Sequence, residues 1–242
     1  MDLLIINPNT TVSMTKKIDE AAKKVASLNT KITAVNPSDG PVSIEGYFDE
    51  VFAVPGMIGE MQKHPNADAY IIACFDDTGL DAARCVSNAP VIGIGEAAFH
   101  IASLVAGTFT VVTTLSRSIP AIKHNLGKYG LLTRCAGIRA SEVPVLDLEK
   151  NGSDAYQKIS DEIGRALLDD RAEAIVLGCA GMADLAASLS AKHHIPVIDG
   201  VSAAVKLSEA IVQLGIGTSK WGGYRRPVAK EFKGIFAPFS PK

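Results

Sequence analysis

The sequence is poor in three features that mark whole classes of protein: long apolar runs, charge of one sign and cysteine. No apolar run approaches the roughly 18 residues that a helix needs to cross a bilayer, which argues against a membrane protein. Lys and Arg number 24 against 26 Asp and Glu, a net charge of -2. No basic stripe indicates nucleic acid and no acidic block indicates a disordered tail. We therefore expect neither a nucleic-acid nor a membrane partner, and the substrate predicted below is a small molecule.

Four cysteines in 242 residues are too few for a disulfide scaffold, and no two stand at CxxC spacing. The histidines are scattered, and the adjacent pair His193 and His194 must point in different directions. We therefore expect no metal ion. The first eight residues lack the basic and apolar regions of a signal peptide, so the sequence predicts a cytoplasmic protein.

What the chain does have is alternation between apolar, β-branched runs and helical patterns. This alternation is typical of βαβ units around a mainly parallel sheet. The predicted strands cover 3–6, 31–35, 69–73, 91–94, 108–112 and 137–140, with one more ending at Cys179. The predicted helices cover 12–28, 47–63, 80–86, 154–168 and 202–214.

The second half of the chain repeats the plan of the first. The run ADAYIIAC ends at Cys74, and the similar run AEAIVLGC ends at Cys179. Cys179 lies 105 residues after Cys74. Pro196 lies 106 residues after Pro90, and both prolines precede Val-Ile. The nearly constant offset predicts an α/β fold of two similar lobes, each with a mainly parallel four-stranded sheet, related by pseudo-twofold symmetry.

The lobe boundaries follow from this duplication. We place the first α/β lobe at residues 1–98 plus 205–242, which add a C-terminal helix and a tail, and the second at residues 99–204. The tail, from Gly215 onwards, is predicted to wrap back over the first half. A partner-binding arm is the alternative.

The two repeated cysteines are the candidates for chemistry. Both follow predicted strands at the edge where open α/β sheets bind ligands, and we expect the helix starts behind them to lower the thiol pKa. A lone cysteine at a strand end is more often a packing residue, but packing gives no reason to match two. We predict that Cys74 and Cys179 are catalytic, one removing a proton from a carbon and the other protonating its opposite face, as in a cofactor-independent racemase. Cys85, within a helix, and Cys135, before a strand, are predicted to pack.

Residues that follow the cysteines, and the first strand of each half, are predicted to bind the substrate. Backbone N–H groups after the cysteines can hold an enolate oxygen, and small amides and hydroxyls can hold imide or carboxylate oxygens. The predicted binding residues are Asn7, Phe75, Asp76, Thr113, Thr114, Ala180 and Gly181. For Asp76 and Asp77 we prefer helix capping over acid–base work, and we note that an acid beside a thiolate raises its pKa.

Motifs spread over nearly the whole chain carry a family resemblance. They are Asn7-Pro8-Asn9-Thr10, Cys74-Phe75-Asp76-Asp77, Gly79-Leu80, Ala82-Ala83-Arg84, Thr113-Thr114, Cys179-Ala180-Gly181-Met182 and Asp199-Gly200. A chain with these motifs resembles the aspartate/glutamate/hydantoin racemase superfamily, most closely its hydantoin and allantoin racemase branch. The resemblance implies two cysteines as opposed bases, no cofactor and a homo-oligomer.

The residues around the cysteines narrow the substrate. Members of this branch often have CFGDPG at the first cysteine, whereas this chain has Asp76 and Thr78 in place of the small residue and the proline. Amino-acid racemases of this fold typically follow their cysteines with Asn-Thr and Thr-His, and this chain lacks those polar partners for a buried charge. We therefore predict inversion at C5 of a neutral hydantoin-type ring, either a 5-substituted hydantoin or allantoin.

Other functions remain open at this point. An aspartate or glutamate racemase or a maleate isomerase would use the same fold and two cysteines, whereas an arylmalonate decarboxylase needs only one thiol. A non-catalytic binding protein with two α/β lobes needs no paired thiols.

Overall fold

The computed structural model describes residues 1–150 and 152–241. Its strands are β1 (Asp2–Ile6), β2 (Lys31–Val35), β3 (Ala69–Ile72), β4 (Val91–Gly93), β5 (Phe109–Thr113), β6 (Cys135–Ala140), β7 (Ile175–Gly178) and β8 (Val197–Asp199). Its helices are α1 (Val12–Val25), α2 (Tyr47–Lys63), α3 (Leu80–Val86), α4 (Ile94–Val105), α5 (Ile119–Lys128), α6 (Ala155–Asp169), α7 (Ala186–His193) and α8 (Gly200–Gln213).

The strands form two four-stranded sheets in which every pairing is parallel. The first has the order β2-β1-β3-β4 and the second β6-β5-β7-β8. The second sheet therefore repeats the first strand for strand, and the predicted fold class is confirmed. The predicted elements agree within a few residues, except that Cys135 begins β6 instead of preceding it. No range was predicted from the sequence for β8, α4, α5 or α7.

Alternate residues of each central strand face two different cores. Leu3 and Ile5 of β1 join a central cluster that also contains residues of the second sheet, whereas Leu4 and Ile6 pack in an outer cluster with residues of α2 and α3. In β7, Val176 faces the central cluster and its neighbours face an outer cluster with α6 and α7. The period of two residues follows from strand geometry, and the central cluster joins the two halves.

Helices α4 and α8 pack against each other and contact strands of both sheets. Phe99 of α4 and Val205 of α8 are fully buried in the central cluster. The predicted lobe boundaries, between residues 98 and 99 and between 204 and 205, fall inside these two helices. Because both helices serve both sheets, the position of the boundaries stays a prediction.

The segment after α8 returns to the first half, as predicted. The Thr218 N–H donates to the carbonyl of Asn88 at 2.8 Å. Tyr224 donates its hydroxyl to Asp81 at 3.1 Å, and the Arg84 guanidinium lies 5.6 Å from the centre of the Tyr224 ring. These contacts attach the tail to α3. Among the helices of the described ranges, none combines the length and apolar character required to span a membrane.

Candidate active site

Cys74 and Cys179 lie just beyond β3 and β7, at the carboxyl edges of the two sheets. In the first sheet Ile6 of β1 pairs with Ile72 of β3, and in the second Thr113 of β5 pairs with Gly178 of β7. The paired strands end level, so the segments after β1 and β5 lie beside the cysteines. This is the edge at which open parallel sheets bind ligands.

The two cysteines line one cavity of about 40 Å³. Its walls come from both halves of the chain, so the two thiols face the same partly open space. The lining residues are Asn7, Asn9, Met14, Ile44, Ala73, Cys74, Phe75, Asp76, Thr114, Ser118, Val145, Gly178, Cys179 and Ala180. The four described cysteines are all free thiols.

Two of the predicted binding residues, Thr113 and Gly181, are not part of this lining; Asn7, Phe75, Asp76, Thr114 and Ala180 are. The Thr113 hydroxyl donates to the carbonyl of Gly178 at 3.0 Å and holds β5 to β7. A side chain at Gly178 would place its Cβ 2.7 Å from that of Thr113, so the close approach of the strands requires glycine there. Thr113 therefore supports the strand end that delivers Cys179.

Seven lining residues were not predicted as site residues from the sequence: Asn9, Met14, Ile44, Ala73, Ser118, Val145 and Gly178. The Asn-Pro-Asn-Thr motif contained a signal for Asn9, because Asn7 donates its amide to Asn9 Oδ1 at 2.8 Å and orients that side chain. Ile44 and Val145 lie in segments without regular patterning, and no sequence signal marked them.

Two hydrogen bonds reach the sulfur of Cys74. Thr78 donates its hydroxyl to Sγ at 3.2 Å, and the Asp76 backbone N–H also donates to it. These two hydrogen bonds lower the pKa of the Cys74 thiol, whereas burial and the Asp76 carboxylate raise it by more. The pKa therefore lies well above its ordinary value. The second half has no equivalent hydroxyl, since the fourth residue after Cys179 is Ala183.

Burial also raises the pKa of the Cys179 thiol, to about 11. The Gly181 N–H donates to this sulfur and lowers the pKa, while the carboxylates of Asp76 and Glu45 raise it and Lys17 lowers it. The N–H groups of Asp76 and Gly181 thus occupy equivalent positions, each serving the cysteine two residues earlier rather than a free enolate site.

The prediction that helix starts lower both thiol pKa values is wrong, because both values lie above the ordinary one. Helix α3 begins only at Leu80, several residues beyond Cys74, and Cys179 is followed by a short 3₁₀ helix, Ala180–Leu185. One amide to each sulfur from the loop does not offset the loss of water around a buried thiolate.

Asp77, not Asp76, provides the predicted cap, and it caps α4 instead of α3. Its carboxylate accepts hydrogen bonds from the N–H groups of Gly95 and Glu96 at 2.9 and 2.8 Å and from the Tyr129 hydroxyl at 2.7 Å. Asp77 has a left-handed φ of 51°, which Asp tolerates better than most residues. A Cβ at Gly95 would come within 2.3 Å of the Phe75 carbonyl oxygen, so glycine lets α4 approach the Cys74 loop.

Asp76 instead lines the cavity, and the charge of its carboxylate acts on both thiols. Its side chain is nine-tenths buried, and burial together with the charges of Glu50 and Asp77 raises its pKa to about 7. The lining residues include no Lys, Arg or His. Across residues 1–150 and 152–241, no group of three His, Cys, Asp or Glu side chains is placed to hold a metal ion.

Two repeated parallel-sheet lobes that bring one thiol each to a common cavity define a class of α/β proteins with paired cysteines. The family model described as Asp/Glu/Hydantoin racemase matches residues 3–208. The chain therefore belongs to the Asp/Glu/hydantoin racemase family.

The named relatives are similar over their full length. The hydantoin racemase of Pseudomonas sp. (strain NS671) is 45% identical over 99% of this chain and 97% of its own. The hydantoin racemase of Rhizobium meliloti is 46% identical over 97% of this chain and 98% of its own. The solved allantoin racemase from Klebsiella pneumoniae is 44% identical, with a TM-score of 0.97 and complete coverage of both chains.

Proposed function

We propose that the protein is a cofactor-independent racemase that inverts C5 of a hydantoin-type ring, either a 5-substituted hydantoin or allantoin. The observation that carries the proposal is the cavity lined by Cys74 from the first half and Cys179 from the second. The relatives named hydantoin racemase and the similar structure named allantoin racemase support the substrate class.

The mechanism uses the two thiols in opposite protonation states. One cysteine, as thiolate, removes the C5 proton and becomes a thiol, while the electron pair of the C–H bond moves onto the ring carbonyl oxygen. The other cysteine, as thiol, gives its proton to the opposite face of C5 and becomes a thiolate. The ring returns to its starting oxidation state with inverted configuration, and the two cysteines have exchanged roles.

The lining favours a neutral ring over a free amino acid. A buried carboxylate needs a cation or several hydrogen-bond donors, and no basic side chain lines the cavity. The hydroxyls of Thr114 and Ser118 line it and make no hydrogen bond within residues 1–150 and 152–241. Both are therefore available to the carbonyl and N–H groups of an imide ring.

We also propose that the protein is a cytoplasmic homo-oligomer. Two apolar surfaces support self-association: the start of α2, where Tyr47, Phe48, Val51 and Phe52 are exposed, and the tail, where Trp221 is 84% exposed. Residues 215–242 carry six Lys or Arg and one Glu, while the rest of the chain has an excess of acids. Opposite charges favour contact between the tail of one copy and the body of another. A reducing compartment keeps the thiols free.

The experiment is to incubate the protein with one enantiomer of allantoin, and separately of 5-benzylhydantoin, in deuterated buffer. We expect the circular dichroism signal to decay to zero with deuterium gain at C5, above the spontaneous rate. Cys74→Ser and Cys179→Ser should each abolish the decay, whereas the matched control Cys85→Ser should not. No decay with either substrate, or near-normal turnover by either site variant, contradicts the proposal.

A further inference from the structure

Asp76 is the third ionisable group of the cavity. Among the described lining residues, only Asp76 and the two cysteines have ionisable side chains, and of these three only Asp76 has a pKa near neutral, at about 7. Its carboxyl oxygens have no hydrogen-bond partner within residues 1–150 and 152–241, although the side chain is nine-tenths buried. The neighbouring Asp77 carboxylate, by contrast, is held by three donors. An unpartnered buried carboxyl group that faces a cavity is available to a ligand.

The charges around Asp76 are all negative or potentially negative. Glu50 of α2 and Asp77 of the same loop both act on it, and the Asp76 charge in turn acts on both thiols. From α5, Asn125 donates its neutral amide to the Asp76 backbone carbonyl at 2.8 Å. Glu50 Oε1 is itself buried and unpartnered in the described part of the chain. Lys17 acts on Cys179 but does not line the cavity.

This arrangement matters when the C5 proton is removed. The negative charge of the thiolate then moves onto the ring oxygen, inside a cavity without a lining cation. An ionised Asp76 would place a second negative charge beside it, whereas a protonated Asp76 presents an O–H donor to the same oxygen. Donors aimed at developing charge in a water-poor site are among the strongest catalytic devices.

We propose that Asp76 is a third catalytic residue, which works in its protonated form and donates its O–H to the ring oxygen that gains charge as C5 loses its proton. The inference rests on the proposed racemase function. Asp76 keeps its proton throughout the step, so the proton transfers between C5 and the two thiols remain balanced.

The proposal has a signature in the pH dependence of kcat/KM. The active state has a protonated Asp76 and one thiolate, so it contains as many protons as the state with an ionised Asp76 and two thiols. The fraction of the protein in the active state rises with pH until Asp76 titrates, at a pKa of about 7. Above that pH the fraction stays constant up to the thiol pKa, which is about 11 for Cys179. An Asp76 that worked as a carboxylate would let the rate continue to rise.

The test compares the wild-type protein, Asp76→Asn, Asp76→Ala and the exposed control Asp39→Asn between about pH 5.5 and 9. We expect the wild-type and control profiles to level off near pH 7. Asp76→Asn should lose this break and remain within about tenfold of wild type at pH 6, because its amide N–H still donates. Asp76→Ala should be about 10²–10³-fold slower at pH 6, as for the loss of one oxyanion donor.

Two results would overturn the inference: wild-type rates for Asp76→Ala at pH 6, or a break that persists in Asp76→Asn and so belongs to Glu50 or Asp77. If the variants fail to fold, a wild-type profile that rises without a break from pH 6 to 9 contradicts it equally. Failure of the wild-type protein to racemise any hydantoin is a different outcome, because it contradicts the proposed function itself.

Discussion

Replacing Thr78 by Val should reduce the fraction of Cys74 that is present as thiolate, without moving the backbone. The change removes the hydroxyl that donates to Sγ at 3.2 Å and keeps the shape of a side chain that is 1% exposed. A hydrogen bond to a charged acceptor contributes about 1.5–3 kcal/mol, and sulfur is the weaker kind of acceptor. We take the lower limit, which corresponds to about one pKa unit. At a fixed pH, about tenfold less Cys74 is then ionised.

The same factor should appear in two measurements. The rate at which iodoacetamide alkylates Cys74, followed by peptide mass spectrometry against pH, should fall about tenfold at each pH, while Cys179 should change little. Racemisation kcat/KM should fall by a similar factor from either enantiomer, because two enantiomers have equal free energy. Thr78→Ser keeps the donor and should remain near wild type. An unchanged Cys74 alkylation profile in Thr78→Val would refute the reasoning.

Two further predictions concern stability. Burial raises the pKa of Asp76 from 3.8 to about 7, so the contribution of Asp76 to stability is present below pH 4 and is lost as the pH rises through 7. The Tm of Asp76→Asn should therefore rise relative to the wild-type Tm between pH 4 and 7. A Tm difference that stays constant over this range would contradict the prediction. Despite burial, hydrogen bonds from Lys206, Thr30 and Ser27 lower the pKa of Glu209 to about 2. Glu209→Gln should cost about 1–3 kcal/mol of unfolding free energy at pH 7. In urea titrations this cost should shrink as the pH falls from about 4.5 towards 2. An equal cost at pH 7 and at pH 2 would contradict the prediction.

The sequence predicted the fold because its signals were local and repeated. The apolar runs that end at Cys74 and Cys179 are four-residue strands with every residue buried, and such strands read as continuous hydrophobic segments. Helix α4 escaped prediction because it begins directly after β4 and is apolar on most sides, with six buried residues.

The site was less accessible to sequence reasoning, because long-range contacts decide its chemistry. Asp77 looked like a cap for the helix that follows it, but its partners, Gly95 and Glu96, lie 18 and 19 residues away. The thiol pKa depends on burial by the opposite half of the chain, which no local motif encodes. The sequence allowed two roles for Asp76, helix capping and acid–base chemistry. Only the position of Asp76 at the cavity in the structure distinguishes them.

The central claim is that two thiols act on opposite faces of one carbon. The most direct measurement is the deuterium content of C5 in both enantiomers during the first few per cent of conversion in deuterated buffer, starting from one protiated enantiomer of the faster substrate. The account predicts that the product enantiomer carries deuterium while the unreacted enantiomer keeps its protium, because each proton acceptor serves a single face. Deuterium in the unreacted enantiomer, or protium retained in the product, would contradict the account.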